Sequence, residues 1–210
     1  MKIINGKKLS REILEKVKEE VTLLPFTPIF CDVLVGSDPS SVQYVRMKKK
    51  KAESIGIKFH NANFPASITT EELVKEIKTL NQVPNMYGII VQLPLPEGLD
   101  KSAILDSIDP DLDVDCLGII QSTKFYQGES LIGFPTALAC MAILDSLQLD
   151  LRVKNIAVLG QGMLVGKPVT ALLEFRNLSP VIVTSQTPDK EKIIKEADII
   201  ISGIGKGKYI

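Results

Sequence analysis

Apolar strand-like runs alternate with helical patterns from residue 29 almost to the end of the chain, and this alternation constrains the fold more than any other feature. "IFCDVLVG" (29–36), "IKFHNANF" (57–64) and "GIIVQL" (88–93) are each followed by a helical stretch: one from Pro39, one from Thr69 to about Leu80, and one near 99–107. A second series follows, with a helix from about Thr136 to Leu147, "NIAVLG" (155–160), a helix starting near Leu164, "PVIVT" (180–184), a helix across 189–196 and "DIIISGIG" (198–205). Strands that are apolar throughout and separated by helices imply parallel sheet covered on both faces. The expected class is therefore α/β, in two α/β units. The pattern breaks across 116–135, which places the boundary there and divides the chain into 1–118 and 119–210.

Twenty-five basic and 25 acidic side chains give a formal net charge of zero, so no global field concentrates an anionic polymer. Nucleic acid is not an expected partner. At 210 residues and 45 % hydrophobic composition the chain can bury a sizeable core. The opening "MKIINGKKLSREILEKVKEE" has no signal-like apolar run, and no segment approaches the ~18–20 apolar residues that span a bilayer. A soluble, cytoplasmic protein with no membrane partner is expected. Cys31, Cys116 and Cys140 are odd in number and lack CxxC spacing, which reads as reduced and structural. His60 has no metal-like neighbours, and no metal site is expected.

The stretch "SVQYVRMKKKKAESIGI" (41–57) holds four consecutive lysines in a helical pattern. Asp38 as N-cap and Pro39 at the first helical position start the helix, and Gly56 stops it. At about 100° per residue from Tyr44, Ile55 falls near 20°, Lys48 near 40°, Ser41 near 60°, Ala52 near 80° and Val45 near 100°. Lys48 thus lies inside the apolar arc, Lys51 on one edge and Lys49 beyond the other, while Lys50 points away. A lysine in that arc, beside Tyr44 and Ser41, needs a partner, a depressed pKa or a site that uses its charge.

Other polar residues stand where a core is expected. Gln92 interrupts "GIIVQLPLP" at the carboxyl end of a buried strand, where open α/β sheets place ligand-binding groups. In "DPDLDVDCLG" Asp115 is the acid expected to point inward, while Asp109 and Asp111 serve the turn. That run lacks the glycine and glutamate of an EF-hand loop. In "NIAVLGQGMLVGKP" a buried strand meets Gly160, Gly162 and Gly166 and then a helix, the context of a dinucleotide-phosphate cradle, with GxGxxxG spacing. Pro168 after Lys167 removes the P-loop ending and with it any indication of ATP hydrolysis. Neither an acid nor an arginine stands at the tip of "PVIVT", which leaves NAD and NADP undecided.

Together and in this order, "INGKKLS", "VGSDPSSVQYVRMKKKKAESIGI", "GIIVQLPLPEGLD", "IDPDLDVDCLG", "GQGMLVGKP" and "EADIIISGIGKGKYI" resemble the FolD-type methylenetetrahydrofolate dehydrogenase/methenyltetrahydrofolate cyclohydrolase family over essentially the whole chain. The resemblance implies an N-terminal substrate domain and a Rossmann-like parallel-sheet cofactor domain. It implies a tetrahydrofolate substrate, with Tyr44 lining the pterin pocket and Lys48 activating water and handling protons. Gln92 stands near Lys48, Asp115 grips the pterin, and Ser41 offers a hydroxyl to the substrate. The loop residues Gly160, Gln161, Gly162, Leu164, Val165 and Gly166, with Thr184 and Ser185, fall to the nicotinamide cofactor, NADP or NAD. A homodimer and a place in purine biosynthesis also follow from the resemblance.

The chain departs from the family pattern at several points. "FPTA" (134–137) stands for the usual "PCTP", Gln161-Gly162 for an Arg-Ser pair, and Thr184 and Ser185 for His/Arg contributors. The family continues past "GKGKYI" with a "VIDVG" strand and a "TPVPGGVGPMT" segment, so an incomplete cofactor domain is expected. Two other readings stand beside the bifunctional enzyme: a non-catalytic folate- or nucleotide-binding remnant, and another two-domain NAD-dependent dehydrogenase.

Overall fold

The structure is a computed structural model and describes residues 3–205. The chain forms two compact units, the first running through Lys124 and the second starting at Phe125. In the first unit lie α1 (Gly6–Thr22), β1 (Ile29–Val35), α2 (Pro39–Ser54), β2 (Lys58–Phe64), α3 (Thr70–Leu80), β3 (Met86–Val91) and α4 (Lys101–Leu105). The division falls inside α5 (Ile119–Tyr126), a little beyond the boundary expected at 118.

Local chemistry accounts for the element ends. Asp38 Oδ2 accepts the Ser41 N–H at 2.8 Å and Pro39 opens α2, while Gly56, at φ +89°, takes the left-handed turn that closes it. Thr69 and Glu72 form a reciprocal capping box at the start of α3. The three strands run parallel in the order β2-β1-β3, so β1 is bonded on both sides. Leu73 and Ile77 of α3, Ile89 of β3 and Ile104 of α4 are fully buried against this sheet, each worth about 1.5–3 kcal/mol relative to exposure.

The expectation of strands apolar throughout holds for β3 and, apart from the buried Asp32, for β1, but not for β2. β2 is an edge strand, and His60, Asn61 and Asn63 stand exposed along it, polar groups that discourage further pairing. Two helices were also not expected. α1 spaces Leu9, Ile13, Leu14, Val17 and Val21 at helical intervals on one side of a charged helix, and no residue of α1 is buried. α5 is only eight residues long, with Gln121 and Phe125 buried one turn apart.

The second unit contains α6 (Pro135–Ser146), a 3-10 turn at 151–153, β4 (Ile156–Leu159), α7 (Gly166–Phe175), β5 (Val181–Val183), α8 (Lys190–Glu196) and β6 (Ile199–Ser202). Its strands are also parallel, in the order β5-β4-β6, with β4 central. Phe125 packs edge-to-face on Phe134 and Phe175, at centroid distances of 5.1 and 6.2 Å. On the edge strand β5, Val181 and Ile182 are exposed, so cover on both faces is incomplete there among the described residues. Residues 206–210, the end of "GKGKYI", lie outside the described residues.

Candidate active site

In both units the first strand is central and its two neighbours are reached by crossovers in opposite directions, which opens a crevice at the strands' carboxyl ends. α2 leaves β1 at that end, and Gln92 follows β3 there. The Lys48 ammonium donates to Gln92 Oε1 at 2.9 Å, and the Gln92 amide donates to Leu93 O at 2.7 Å, which fixes the direction of the side chain. Two residues singled out from separate segments are thus in contact.

The partner that Lys48 needs is one the sequence reading missed. Asp32, in the middle of β1, has no solvent exposure, and its Oδ2 lies 2.6 Å from Lys48 Nζ. Apart from that ammonium, no described group donates to either carboxylate oxygen. Burial pushes the Asp32 carboxyl above the usual carboxylate range, and the neighbouring ammonium pulls it back down. A buried ion pair is weak evidence for stability, because apolar replacements of similar volume are often neutral or stabilising by about 1–4 kcal/mol. The signal that could have revealed Asp32 is an ionisable residue inside "IFCDVLVG", an otherwise apolar run.

Lys48 takes part in the lining of two hollows. An apolar cavity of ≈ 380 Å³ is lined by Phe30, Ile55, Tyr87, Gly88 and Val114 beside the lysine. A more open one of ≈ 580 Å³ is bordered by Tyr44, Met47, Lys50, Lys51 and Ser54. Val45, Ala52 and Ile55 are buried as the wheel requires, and so is Ser41, whose N–H is taken by the Asp38 cap. Tyr44 lies at the other extreme, 58 % exposed, so it borders a surface hollow and does not line the core. Lys49, Lys50 and Lys51 are exposed.

The acidic loop crosses the same region. Gly88 lets it approach, since a Cβ there would meet Val114 Cγ1 at 2.8 Å. Asp109 serves the turn as expected, its Oδ1 accepting the Asp111 N–H at 3.0 Å. Asp113, which was not expected to turn inward, is buried more deeply than Asp115, for a structural cause. Asp113 Oδ2 accepts the Gly118 N–H at 2.8 Å and pins the loop beside β3, where residue 113 bridges Ile89. Asp115 is half-buried and near Lys48. Burial raises its carboxyl to about 6, the Lys48 charge opposes that rise, and Asp113 and Asp32 add to it.

Cys31 and Cys116 are buried thiols, each pushed up to about 12 chiefly by burial. Among the described residues no group of three or more His, Cys, Asp or Glu side chains is placed to hold a metal ion.

The three loop glycines have different duties. Gly160 turns at φ +85° directly after β4, its N–H donating to Val183 O. Around Gly162 nothing lies within 4 Å of a Cβ position, which leaves the backbone open to close approach. At Gly166, the first residue of α7, a Cβ would stand 1.9 Å from Gly160 O, so only glycine lets the helix start there. An open backbone followed by a helix N-terminus is what a pyrophosphate requires, so these residues fit a dinucleotide. Leu164 is exposed and Val165 is the N-cap of α7. Gln161 is turned inward, donating to Gly160 O and Thr170 Oγ1 at 3.2 and 3.1 Å. Thr184 accepts from the Gln186 N–H within its own turn, and Ser185 is exposed at the strand tip.

Residues 4–115 match the family described as "Tetrahydrofolate dehydrogenase/cyclohydrolase, catalytic domain", and residues 135–210 match its "NAD(P)-binding domain". The chain is 38 % identical to the bifunctional protein FolD of Lactobacillus delbrueckii subsp. bulgaricus, over 99 % of this chain and 75 % of that protein. The crystal structure of the bifunctional FolD methylenetetrahydrofolate dehydrogenase/cyclohydrolase of Campylobacter jejuni superposes with a TM-score of 0.89 at 34 % identity, covering 94 % of this chain and 71 % of that one. The Trypanosoma brucei FolD, complexed with NADP cofactor and inhibitor, gives a TM-score of 0.90 at 33 % identity, covering 98 % and 72 %.

Proposed function

The chain belongs to the tetrahydrofolate dehydrogenase/cyclohydrolase family, and from that membership we propose how its residues divide the work of two reactions. The enzyme oxidises 5,10-methylenetetrahydrofolate with NAD(P)⁺ and hydrolyses the 5,10-methenyl product to 10-formyltetrahydrofolate. A bound nicotinamide would supply the hydride acceptor. For that step the protein's task is orientation, which falls to Gly160, Gln161, Gly162, Leu164, Val165 and Gly166 with Thr184 and Ser185 on the cofactor side, and to Ser41, Tyr44 and Asp115 on the folate side.

In the hydrolysis, water adds to the methenyl carbon, the bond from that carbon to N5 breaks as N5 takes a proton, and one proton leaves to solvent. Lys48, held by Gln92, orients that water and relays the proton. The observation that carries the reading is the 2.9 Å contact between Lys48 and Gln92, two polar groups brought together where the sheet opens its crevice. The cytoplasm is the proposed compartment, in keeping with three cysteines that stand as thiols. No helix among the described residues is long and apolar enough to cross a membrane. A homodimer is the proposed assembly, supported by the exposed Val181 and Ile182 on the edge strand β5, and 10-formyltetrahydrofolate is proposed to feed purine synthesis. Nucleic acid has no part in this reading, in line with the zero net charge.

The test is spectrophotometric: methylenetetrahydrofolate with NAD⁺ and with NADP⁺, and methenyltetrahydrofolate alone. Turnover in both assays is expected, and comparing the two cofactors decides which one the enzyme uses. Folate binding without turnover under any condition would replace this reading with the non-catalytic remnant.

A further inference from the structure

Asp32 is a fully buried carboxylate with one charged partner, and that partner is the lysine to which the hydrolysis is assigned. The pair is not needed to fill the core, since an apolar side chain at this point of β1, on the face that α2 covers, would avoid the desolvation that an ion demands. Its effect falls on Lys48. Oδ2 at 2.6 Å and Gln92 Oε1 at 2.9 Å together fix where the ammonium stands.

The substrates give this a chemical meaning. 5,10-Methenyltetrahydrofolate carries a positive amidinium at the carbon that water attacks, a charge present from the moment it binds, whereas in the oxidation the same charge develops only as the hydride leaves the methylene carbon. An ammonium alone beside the amidinium would repel it. An ammonium matched by a buried carboxylate keeps its hydrogen-bonding power and adds no net charge.

We propose that Asp32 is a positioning residue for the hydrolytic reaction: its carboxylate anchors the Lys48 ammonium beside Gln92 and cancels its charge, so that the site accepts a cationic one-carbon folate. The proposal rests on the assignment of Lys48 to that reaction. The charged groups that face Asp32 are Lys48 from α2 and Asp115 from the acidic loop, while the thiol of Cys31, on the opposite face of β1, feels its charge through the strand.

The test compares Asp32→Asn and Asp32→Glu in the full chain, with both reactions measured and NAD(P)⁺ present for the oxidation. For Asp32→Asn, kcat/KM for the methenyl substrate should fall about tenfold or more, and the fall for the methylene substrate, whose oxidation needs no proton transfer by Lys48, should be at least about threefold smaller. The acid limb of the hydrolytic profile should also move to lower pH. Removing the Asp32 charge takes away one influence that raises the Asp115 carboxyl and frees Lys48 to stabilise its ionised form. Asp32→Glu keeps the charge and should recover part of the hydrolytic loss.

Equal losses in both reactions with an unmoved pH profile would overturn the proposal, as would unchanged hydrolysis. If Asp32→Asn does not fold, Asp32→Glu reads the same ratio, a hydrolysis-selective loss supporting the proposal and a shared loss overturning it. Lys48→Met separates the two assignments. If that variant hydrolyses normally, the reading of Lys48 is what fails, and if it does not while Asp32→Asn does, only the role of Asp32 fails.

Discussion

Lys48→Met should lower hydrolysis of methenyltetrahydrofolate by about 100-fold or more, because a positioned proton-transfer group contributes roughly 10²–10⁴ to such a step. Lys49→Met should stay within about twofold of the unaltered enzyme. Lys49 belongs to the same run but is exposed, and its contact with Glu53 is a loose 3.8 Å pair one turn along the helix. Comparable losses in the two variants would contradict the division of the lysines.

Stability separates the two variants as well. Lys48→Met leaves Asp32 buried without its cation, so its carboxyl rises further above its ordinary value of 3.8. A carboxyl whose folded value exceeds its unfolded one binds more protons in the folded state. Stability is therefore retained near pH 4 and lost as pH rises through the interval above it. The deficit of Lys48→Met in thermal or urea unfolding should accordingly be largest near neutrality and shrink on acidification. A deficit that does not vary with pH would mean that Asp32 finds another cation.

Gly166→Ala should cost about 3 kcal/mol, the upper range for a group forced into a filled space. The new Cβ meets Gly160 O at 1.9 Å, Gly160 C at 2.7 Å and Gln161 Cα at 2.9 Å, all of them backbone, so no side chain can swing aside. The helical preference of alanine over glycine, roughly 0.5–1 kcal/mol, acts in the opposite direction and is too small to compensate. Gly162→Ala provides the contrast. With nothing within 4 Å of the added methyl, its stability should change by less than about 0.5 kcal/mol, while NAD(P)⁺ binding weakens because the methyl occupies the space of close approach. Urea midpoints and cofactor titrations of both variants measure this. A Gly166→Ala protein as stable as its parent would refute the clash, and unaltered binding by Gly162→Ala would remove that glycine from the cradle.

Periodicity disclosed the alternation of strands and helices, and it placed Lys48 among Ser41, Val45, Ala52 and Ile55, because a helix repeats its face within a few residues. The strand-end position of Gln92 was legible for a similar reason. Asp32 was not, since one acid in an apolar run gives no sign of which distant residue will answer it. The acidic loop was legible in part: Asp115, the acid expected to point inward, stands near Lys48, while the spacing gave no sign that Asp113 fastens the backbone. α1 was as legible as α3, since Leu9, Ile13, Leu14, Val17 and Val21 keep helical spacing, and what the sequence does not disclose is that this stripe stays unburied.

Gln92 follows an edge strand, but in each sheet the strand bonded on both sides also leads to the chemistry: β1 precedes the helix of Lys48, and β4 runs directly into Gly160. Local opening begins where fewest bonds must break, at β2, β3, β5 and β6, each with one neighbour among the described strands. Warming thus frays this protein from its margins, and the rails that aim the reactive groups are the last backbone to exchange their amide hydrogens with water.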